Sequence, residues 1–207
     1  MQAPPPTPRR RIWTGGTGGF WENPVYIIII ANLVVYIMSF INYDKLLYYF
    51  GLIPSLFTEH PWTIVTSMFL HVDFWHIFGN MITLFFFGQV VYRLLGARWF
   101  LLLYFVAGMV GNAAYIWLGN PMSVALGASG AIYGLTGALV VMMPTLRVSL
   151  WGIIPMPLWA FVVIFMGIWS IPAINPYIGW QAHLGGFVIG LMAGFFFRRS
   201  RRFVYLN

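Results

Sequence analysis

Apolar residues fall in long blocks along the chain, and Pro and charged residues lie mainly between these blocks. Each block is about 20 residues long, the length that an α-helix needs to cross a hydrocarbon core about 30 Å thick. The pattern therefore predicts six membrane-spanning helices, at about residues 24–42, 74–92, 98–118, 128–143, 157–174 and 179–197.

The composition agrees with an all-α integral membrane protein. Of the 207 residues, 60% are hydrophobic and only 7% are charged, about a quarter of the charged share of a soluble domain. The chain has no cysteine, which excludes disulfides, Cys-ligated zinc and thiol catalysis. No small-residue cleavage site follows the first apolar run, so we expect this helix to be retained.

The placement of basic residues predicts the orientation. The net charge is +7, and ten of the eleven Lys and Arg residues fall on one side of the predicted bundle: Arg9, Arg10, Arg11, Arg93, Arg98, Arg147, Arg198, Arg199, Arg201 and Arg202. Lys45 falls on the other side, with Asp44, Glu59 and Asp73. The positive-inside rule then places both termini in the cytoplasm of a multi-pass cell-membrane protein. We expect the arginines to contact lipid headgroups rather than nucleic acid.

The same pattern divides the chain into three parts. Residues 1–22 are rich in Pro and Gly and predict a flexible cytoplasmic tail, residues 23–198 form the helical bundle, and residues 199–207 form a basic cytoplasmic tail. The loop at 43–73 is too apolar and aromatic for a solvated linker, so we expect it to lie partly in the membrane interface. We find no internal repeat.

A few polar residues lie inside or at the start of the apolar blocks, where a polar group is costly without a partner. The second block opens with His71, His76 and Asn80, the fourth with Ser129, and the sixth carries His183. His76 and Asn80 are four residues apart, which places them on one helical face.

The helical rise gives the depth of these groups. Counted from the cytoplasmic ends of their helices, Asn80, Ser129 and His183 lie at roughly 20, 22 and 22 Å, and His76 at roughly 25 Å. The four side chains therefore share one layer within the outer leaflet. The fourth helix is short, so its N-terminus ends inside the membrane, which requires a protein-lined, wet cavity.

A serine at a buried helix N-terminus lies beside free N–H groups and the positive end of the helix dipole, which can stabilise an oxyanion. Its hydroxyl needs a base, for which His183 is the candidate. Small-residue stripes on the fourth and sixth helices allow the close approach that this pair requires, and they contain Gly130, Gly134, Gly137, Gly186 and Gly190. Other roles remain open: Ser129 as an N-cap, and His76 and Asn80 as interhelical partners.

Three segments, HVDFWHIFGN, GASGAIYG and AHLGG, occur in this order on the second, fourth and sixth predicted helices. Together they resemble the rhomboid intramembrane serine proteases, over about residues 24–197. The resemblance implies a six-transmembrane-helix rhomboid-like bundle that cleaves transmembrane segments of other membrane proteins. The implied roles are nucleophile for Ser129, general base for His183, oxyanion hole for His76 and Asn80, ring packing for Tyr133 and support of the water-accessible mouth for His71.

This chain departs from the family pattern at two places: Thr63 follows Trp62 where an Arg is frequent, and Tyr92 stands where a Glu is frequent. Neither touches the Ser–His pair. The resemblance implies no cofactor, and the HxxxxH spacing is not the HExxH of zinc sites. Two other classes stay open, a non-catalytic relative that binds transmembrane clients and a channel or transporter, although broken helices in paired halves are not found. The oligomeric state is not predicted.

Overall fold

A computed structural model describes residues 19–150, 153–171, 173–175 and 178–199. Most of the predicted N-terminal tail at 1–22, and the C-terminal tail at 199–207 except for its first residue, lie outside the described residues. The described chain is mainly helical, as the apolar blocks predict.

The regular elements are eight helices and two strands among the described residues. The helices are α1 Pro24–Ser39, α2 Tyr43–Phe50, α3 Thr63–Thr66, α4 Phe74–Leu95, α5 Ala97–Leu118, α6 Ser129–Met142, α7 Leu158–Gly167 and α8 Trp180–Arg199. The strands are β1 Arg147–Leu150 and β2 Ile154–Pro157. Short 3₁₀ turns cover Phe20–Glu22, Pro54–Leu56, Ser67–Phe69 and Ile168–Ser170.

Each of the six predicted spans overlaps one apolar helix, although the helix in the span predicted at 157–174 covers only Leu158–Gly167. Three of these helices, α4, α5 and α8, are long and apolar enough to cross a membrane. The other three, α1, α6 and α7, are apolar but shorter, at 10–17 residues. The loop at 43–73 is more structured than its pattern indicates, because it contains α2 and α3.

A β-hairpin follows α6 and was not part of the all-α prediction. Strands β1 and β2 pair antiparallel, with Arg147 opposite Pro157 and Leu150 opposite Ile154. Pro155 and Pro157 argue against a strand at β2 in the sequence, because proline cannot donate a hydrogen bond to a sheet and is found mainly at sheet edges. The hairpin lies after the C-terminal end of α6, and Ser129 lies at the opposite end.

Helix α6 is the centre of the bundle. Most of its residues are buried, and α4, α5 and α8 pack around it. A short helix that is apolar on every side is stable only inside a protein of this kind. Its burial places the first turn of α6, with Ser129, within the protein.

Helices α6 and α8 pack so closely that their backbones are in direct contact. A Cβ added to Gly186 would overlap the carbonyl oxygen of Gly130, and a Cβ added to Gly190 would overlap that of Gly134. Each step of four residues on α6 thus matches a step of four on α8, so the two helices run parallel. This is the small-residue packing that membrane helices use for close approach.

Helix α5 packs against the same pair. The Cβ position of Gly134 points at the Cβ of Ala107 on α5, and a Cβ on Gly111 would overlap the carbonyl oxygen of Ala182 on α8. The small-residue stripe on α6 therefore packs against both α5 and α8, whereas the sequence pattern predicts packing against α8 alone. Gly137 continues it, with the carbonyl oxygen of Phe187 at 2.8 Å from its Cβ position.

Candidate active site

Ser129 and His183 meet at the buried end of the α6–α8 interface. His183 Nε2 lies 2.8 Å from Ser129 Oγ, and the His183 side chain is only 6% exposed. Ser129 is the first residue of α6, and the N-cap position is Ala128, without a side-chain cap hydrogen bond. The serine hydroxyl therefore does not cap its own helix, and its nearest described partner is the imidazole.

The second ring nitrogen of His183 also has a hydroxyl partner. His183 Nδ1 lies 2.8 Å from Ser170 Oγ, at the end of the 3₁₀ turn that continues α7. Ser170 Oγ in turn donates to the carbonyl oxygen of Met166 at 2.8 Å. Both nitrogens of the buried imidazole are thus hydrogen-bonded.

Tyr133 packs on the His183 ring and joins the same network. The two rings are stacked with centroids 4.2 Å apart and an angle of 9° between their planes. The Tyr133 hydroxyl lies 2.6 Å from Ser170 Oγ and donates to the carbonyl oxygen of Met166. Position 133 is four residues after Ser129, so one face of α6 carries both groups.

His76 approaches from the other side of Ser129. Asp73 is the N-cap of α4, and its carboxylate accepts a hydrogen bond from the His76 backbone N–H at 2.8 Å, so the histidine lies in the first turn of the helix. A Cβ on Gly127 would lie 2.8 Å from His76 Nε2. Gly127 also has φ +112, a conformation that L-residues rarely adopt. Glycine is therefore required here on two counts, and its absent side chain brings the imidazole close to the loop that precedes Ser129.

Asn80 and His71 border His76. The Asn80 amide donates to the His76 carbonyl oxygen at 2.8 Å, one turn back along α4. His71 is 1% exposed, and its ring meets that of His76 edge-on at 4.9 Å between centroids. Neither Asn80 nor His71 hydrogen-bonds Ser129 in the described part of the chain, so the structure groups them with His76.

The arrangement supplies the parts of acyl-transfer chemistry. A hydroxyl is paired with an imidazole, and the imidazole is oriented by a third group. The first turn of α6 offers backbone N–H groups that have no partner within the helix. Within the described residues, no three His, Cys, Asp or Glu side chains form a group that could hold a metal ion.

Comparison with models of protein families identifies the family of this chain. Residues 58–200 match the model of the Rhomboid domain. The chain belongs to the rhomboid family. This family is known for intramembrane serine proteases, and some of its members are inactive.

Individual rhomboid relatives agree. The chain is 27% identical over 191 residues to the yeast Saccharomyces cerevisiae "Rhomboid protein 1, mitochondrial", covering 86% of this chain and 54% of the relative. It is 31% identical over 148 residues to the Arabidopsis thaliana "RHOMBOID-like protein 1", covering 70% and 37%. It is 38% identical over 80 residues to the Bacillus subtilis "Rhomboid protease GluP", covering 38% and 15%. The chain thus spans about half the length of the first of these relatives and less of the others.

The two departures from the rhomboid pattern are both accommodated by packing. Thr63 is 1% exposed, and its hydroxyl donates to the His60 carbonyl oxygen at 2.6 Å. Tyr92 is buried and meets Phe100 edge-on, with centroids 6.5 Å apart. The described hydrogen bonds and ring contacts of these two residues do not include Ser129 or His183.

Two residues of this rhomboid site have no role assigned to them in the sequence analysis. Ser170 drew no attention because a serine in an apolar helix commonly bonds its own backbone, and its contact with His183 depends on tertiary structure. Gly127 opens the segment GASGAIYG, but its contact with His76 depends on tertiary structure. Its place two residues before the candidate nucleophile was the available signal.

Proposed function

We propose that this rhomboid is an intramembrane serine endopeptidase. The observation that carries the proposal is the 2.8 Å contact between His183 Nε2 and Ser129 Oγ, at a buried helix N-terminus. Proteolysis by a hydroxyl needs both a base within hydrogen-bond reach and a stabilised oxyanion. Ser129 has the base directly, and backbone N–H groups lie in the same turn.

The reaction proceeds by acyl transfer. His183 Nε2 takes the proton of Ser129, whose oxygen attacks the carbonyl carbon of a peptide bond. His76, Asn80 and the Ser129 backbone N–H stabilise the resulting oxyanion. His183 then gives its proton to the leaving amine, and water hydrolyses the acyl-enzyme, with His183 acting again as base.

The substrates in this proposal are transmembrane segments of other membrane proteins. In the proposed topology Ser129 lies at the depth of the outer leaflet. A substrate helix must then unwind near that face before its carbonyl can reach Oγ, because a helical carbonyl is bonded within the helix. Tyr133 stacks beneath the base, and His71 supports the mouth of the cavity next to His76. The partners are the substrate and the lipid bilayer.

The proposed topology has all six apolar helices crossing the membrane, with residues 23–198 as the protease domain and both termini in the cytoplasm of a cell membrane. The basic residues at the inner ends of the helices support this orientation. The yeast relative is named as mitochondrial, so fractionation must identify the membrane. The chain lacks cysteine, which permits a clean topology test: an impermeant maleimide should label Asn120→Cys from outside and Arg98→Cys only after the membrane is opened. The opposite pattern would refute the orientation.

The activity is tested with the full chain reconstituted in liposomes with a reporter transmembrane substrate. The wild type should cleave it, and Ser129→Ala should not, while keeping its thermal melting temperature, because one small side chain replaces another. Cleavage by purified Ser129→Ala above a trace would refute the nucleophile. Stable binding of the substrate without cleavage by the wild type would instead indicate a non-catalytic relative.

A further inference from the structure

We propose that Ser170 is a positioning residue that holds His183 in the single tautomer able to act as base toward Ser129. The inference rests on the proposed function for its catalytic consequence, but the tautomer itself is a property of the resting protein. The observation behind it is a chain of hydroxyl contacts that leads from Ser129 through both nitrogens of His183 to the end of α7.

The hydrogen bonds of Ser170 can be assigned individually. A hydroxyl donates one proton and accepts at two lone pairs, and Ser170 Oγ has three neighbours at hydrogen-bond distance: the Met166 carbonyl oxygen at 2.8 Å, the Tyr133 hydroxyl at 2.6 Å and His183 Nδ1 at 2.8 Å. The carbonyl can only accept, so it takes the Ser170 proton. The Tyr133 hydroxyl donates its single proton to the same carbonyl oxygen, which has two lone pairs. The remaining donor to Ser170 Oγ is therefore His183 Nδ1–H.

The alternative assignment leaves one more contact without a proton. Four short contacts join the Tyr133 hydroxyl, Ser170 Oγ, the Met166 carbonyl oxygen and His183 Nδ1, and the two hydroxyls supply only two protons. With a proton on Nδ1 one contact lacks a proton, whereas without it two contacts do. A buried contact of this kind loses its hydrogen bond and gains repulsion. The proton of the neutral imidazole therefore resides on Nδ1.

This tautomer is the one that catalysis requires. With the proton on Nδ1, the lone pair of Nε2 points to Ser129 Oγ, 2.8 Å away, and can accept its proton. The hydrogen bond at one ring nitrogen fixes which tautomer is present, and in serine proteases with a triad the third residue has this task. A neutral hydroxyl at Ser170 occupies the corresponding place here.

Ser170 is also held in place by other groups. The stacked Tyr133 ring covers one face of His183, and its hydroxyl reaches Ser170. The Met166 carbonyl that anchors Ser170 belongs to the last turn of α7. The orientation of the base on α8 is therefore coupled to the position of the end of α7, a helix that contributes no other side chain to the site described above.

The first test is spectroscopic and needs no substrate. Nitrogen-15 shifts of histidine-labelled full-length protein in detergent, at alkaline pH where the rings are neutral, distinguish the two tautomers, and His183→Ala assigns the His183 signals. The wild type should carry its ring proton on Nδ1. In Ser170→Ala the proton should shift in part to Nε2. A wild-type ring protonated on Nε2, or an unchanged spectrum in Ser170→Ala, would overturn the proposal.

The second test is kinetic and uses matched serine variants. Ser170→Ala should lower kcat by about 10- to 100-fold, the range for losing a partner that orients a histidine, with KM nearly constant. Ser170→Thr should recover most of kcat because it restores the hydroxyl, and it remains informative if Ser170→Ala folds poorly. The control is Ser39→Ala: Ser39 is the last residue of α1, is buried more deeply than Ser170 and donates to the Tyr36 carbonyl oxygen, but it has no histidine partner.

The outcomes separate this inference from the proposed function. A wild-type kcat in Ser170→Ala, in a protein whose cleavage depends on Ser129, would overturn the positioning role alone. Equal losses in Ser170→Ala and Ser39→Ala would do the same, because they would report loss of a helix hydrogen bond. If the wild type cleaves nothing, the proposed function fails, and the tautomer spectrum still decides whether Ser170 orients His183.

Discussion

The two sides of Ser129 are built differently. On the α8 side, both nitrogens of His183 lie 2.8 Å from hydroxyl oxygens, and the ring is stacked on Tyr133. On the α4 side, His76 Nδ1 receives only a long contact of 3.5 Å from the Val72 backbone N–H. Neither ring nitrogen of His71 has a partner among the described residues.

We infer that the difference follows from the stage of the proposed reaction at which each side acts. A general base must have the correct proton arrangement before the substrate arrives, so its hydrogen bonds are complete in the resting protein. Oxyanion donors must meet an atom that forms only during the reaction, so they keep donors available. The Asn80 amide fits this view, because it uses one N–H on the His76 carbonyl oxygen and has a second.

The largest effect is expected from the base side. His183→Ala removes the proposed proton acceptor of Ser129 and should lower kcat by about 10,000-fold or more, because loss of a catalytic histidine or of its correct tautomer costs at least that much in serine proteases. Cleavage of the reporter substrate in liposomes measures it, with the melting temperature as the folding control. A loss below about tenfold would mean that another group serves as base.

The next effect is expected from the oxyanion side. Asn80→Ala should lower kcat by roughly 10- to 1000-fold, the range for one oxyanion donor, and should leave KM nearly unchanged. The nitrogen-15 spectrum of His183 should stay as in the wild type, which distinguishes the two sides. If Asn80→Ala raised KM alone, its role would be substrate binding instead.

An intermediate effect is expected from the scaffold that holds both sides. Gly134→Val places branched atoms against Ala107 and the Gly186 carbonyl oxygen and should separate the helices. A displacement of about 1 Å in a catalytic pair can cost on the order of 100-fold in rate. Overpacking should also lower the free energy of unfolding by about 1–3 kcal/mol. Gly79→Val offers a control, because no atom lies within 4 Å of the Gly79 Cβ position; equal behaviour of the two variants would contradict the tight packing.

The smallest effect is expected far from both sides. Thr63→Val removes the hydroxyl that bonds the His60 carbonyl oxygen but keeps the shape of the side chain. The free energy of unfolding should fall by about 1 kcal/mol, as for a neutral hydrogen bond, and kcat should stay constant. Thermal or denaturant unfolding of the detergent-solubilised protein measures the change. A drop in kcat would show that the departure at Thr63 reaches the active site.

The sequence predicts the geometry at Ser129 where one regular element decides it. Depth along a helix follows from the rise per residue, so Ser129 and His183 could be placed in one layer by counting. The glycine spacing on α6 and α8 indicates close parallel packing for the same reason. The apolar blocks likewise locate all six apolar helices.

Features that depend on irregular backbone were not predictable. Ser170 lies at the end of a 3₁₀ turn that follows the π segment of α7, and no pattern in the sequence gives that change of helix type. The β-hairpin is not predicted because the prolines in β2 are unfavourable within a sheet. Gly134 contacts α5 as well as α8, and the spacing of small residues along a helix does not predict how many other helices pack against it.

The most direct test is covalent labelling of Ser129. The full-length protein in detergent is treated with a fluorophosphonate, and the modified peptide is identified by mass spectrometry. The adduct should form on Ser129 in the wild type, be absent in Ser129→Ala, and form far more slowly in His183→Ala, because the base no longer takes the proton of the hydroxyl. A wild type that forms no adduct at Ser129, or a His183→Ala variant labelled at the wild-type rate, would contradict the assignment of Ser129 and His183 as nucleophile and base.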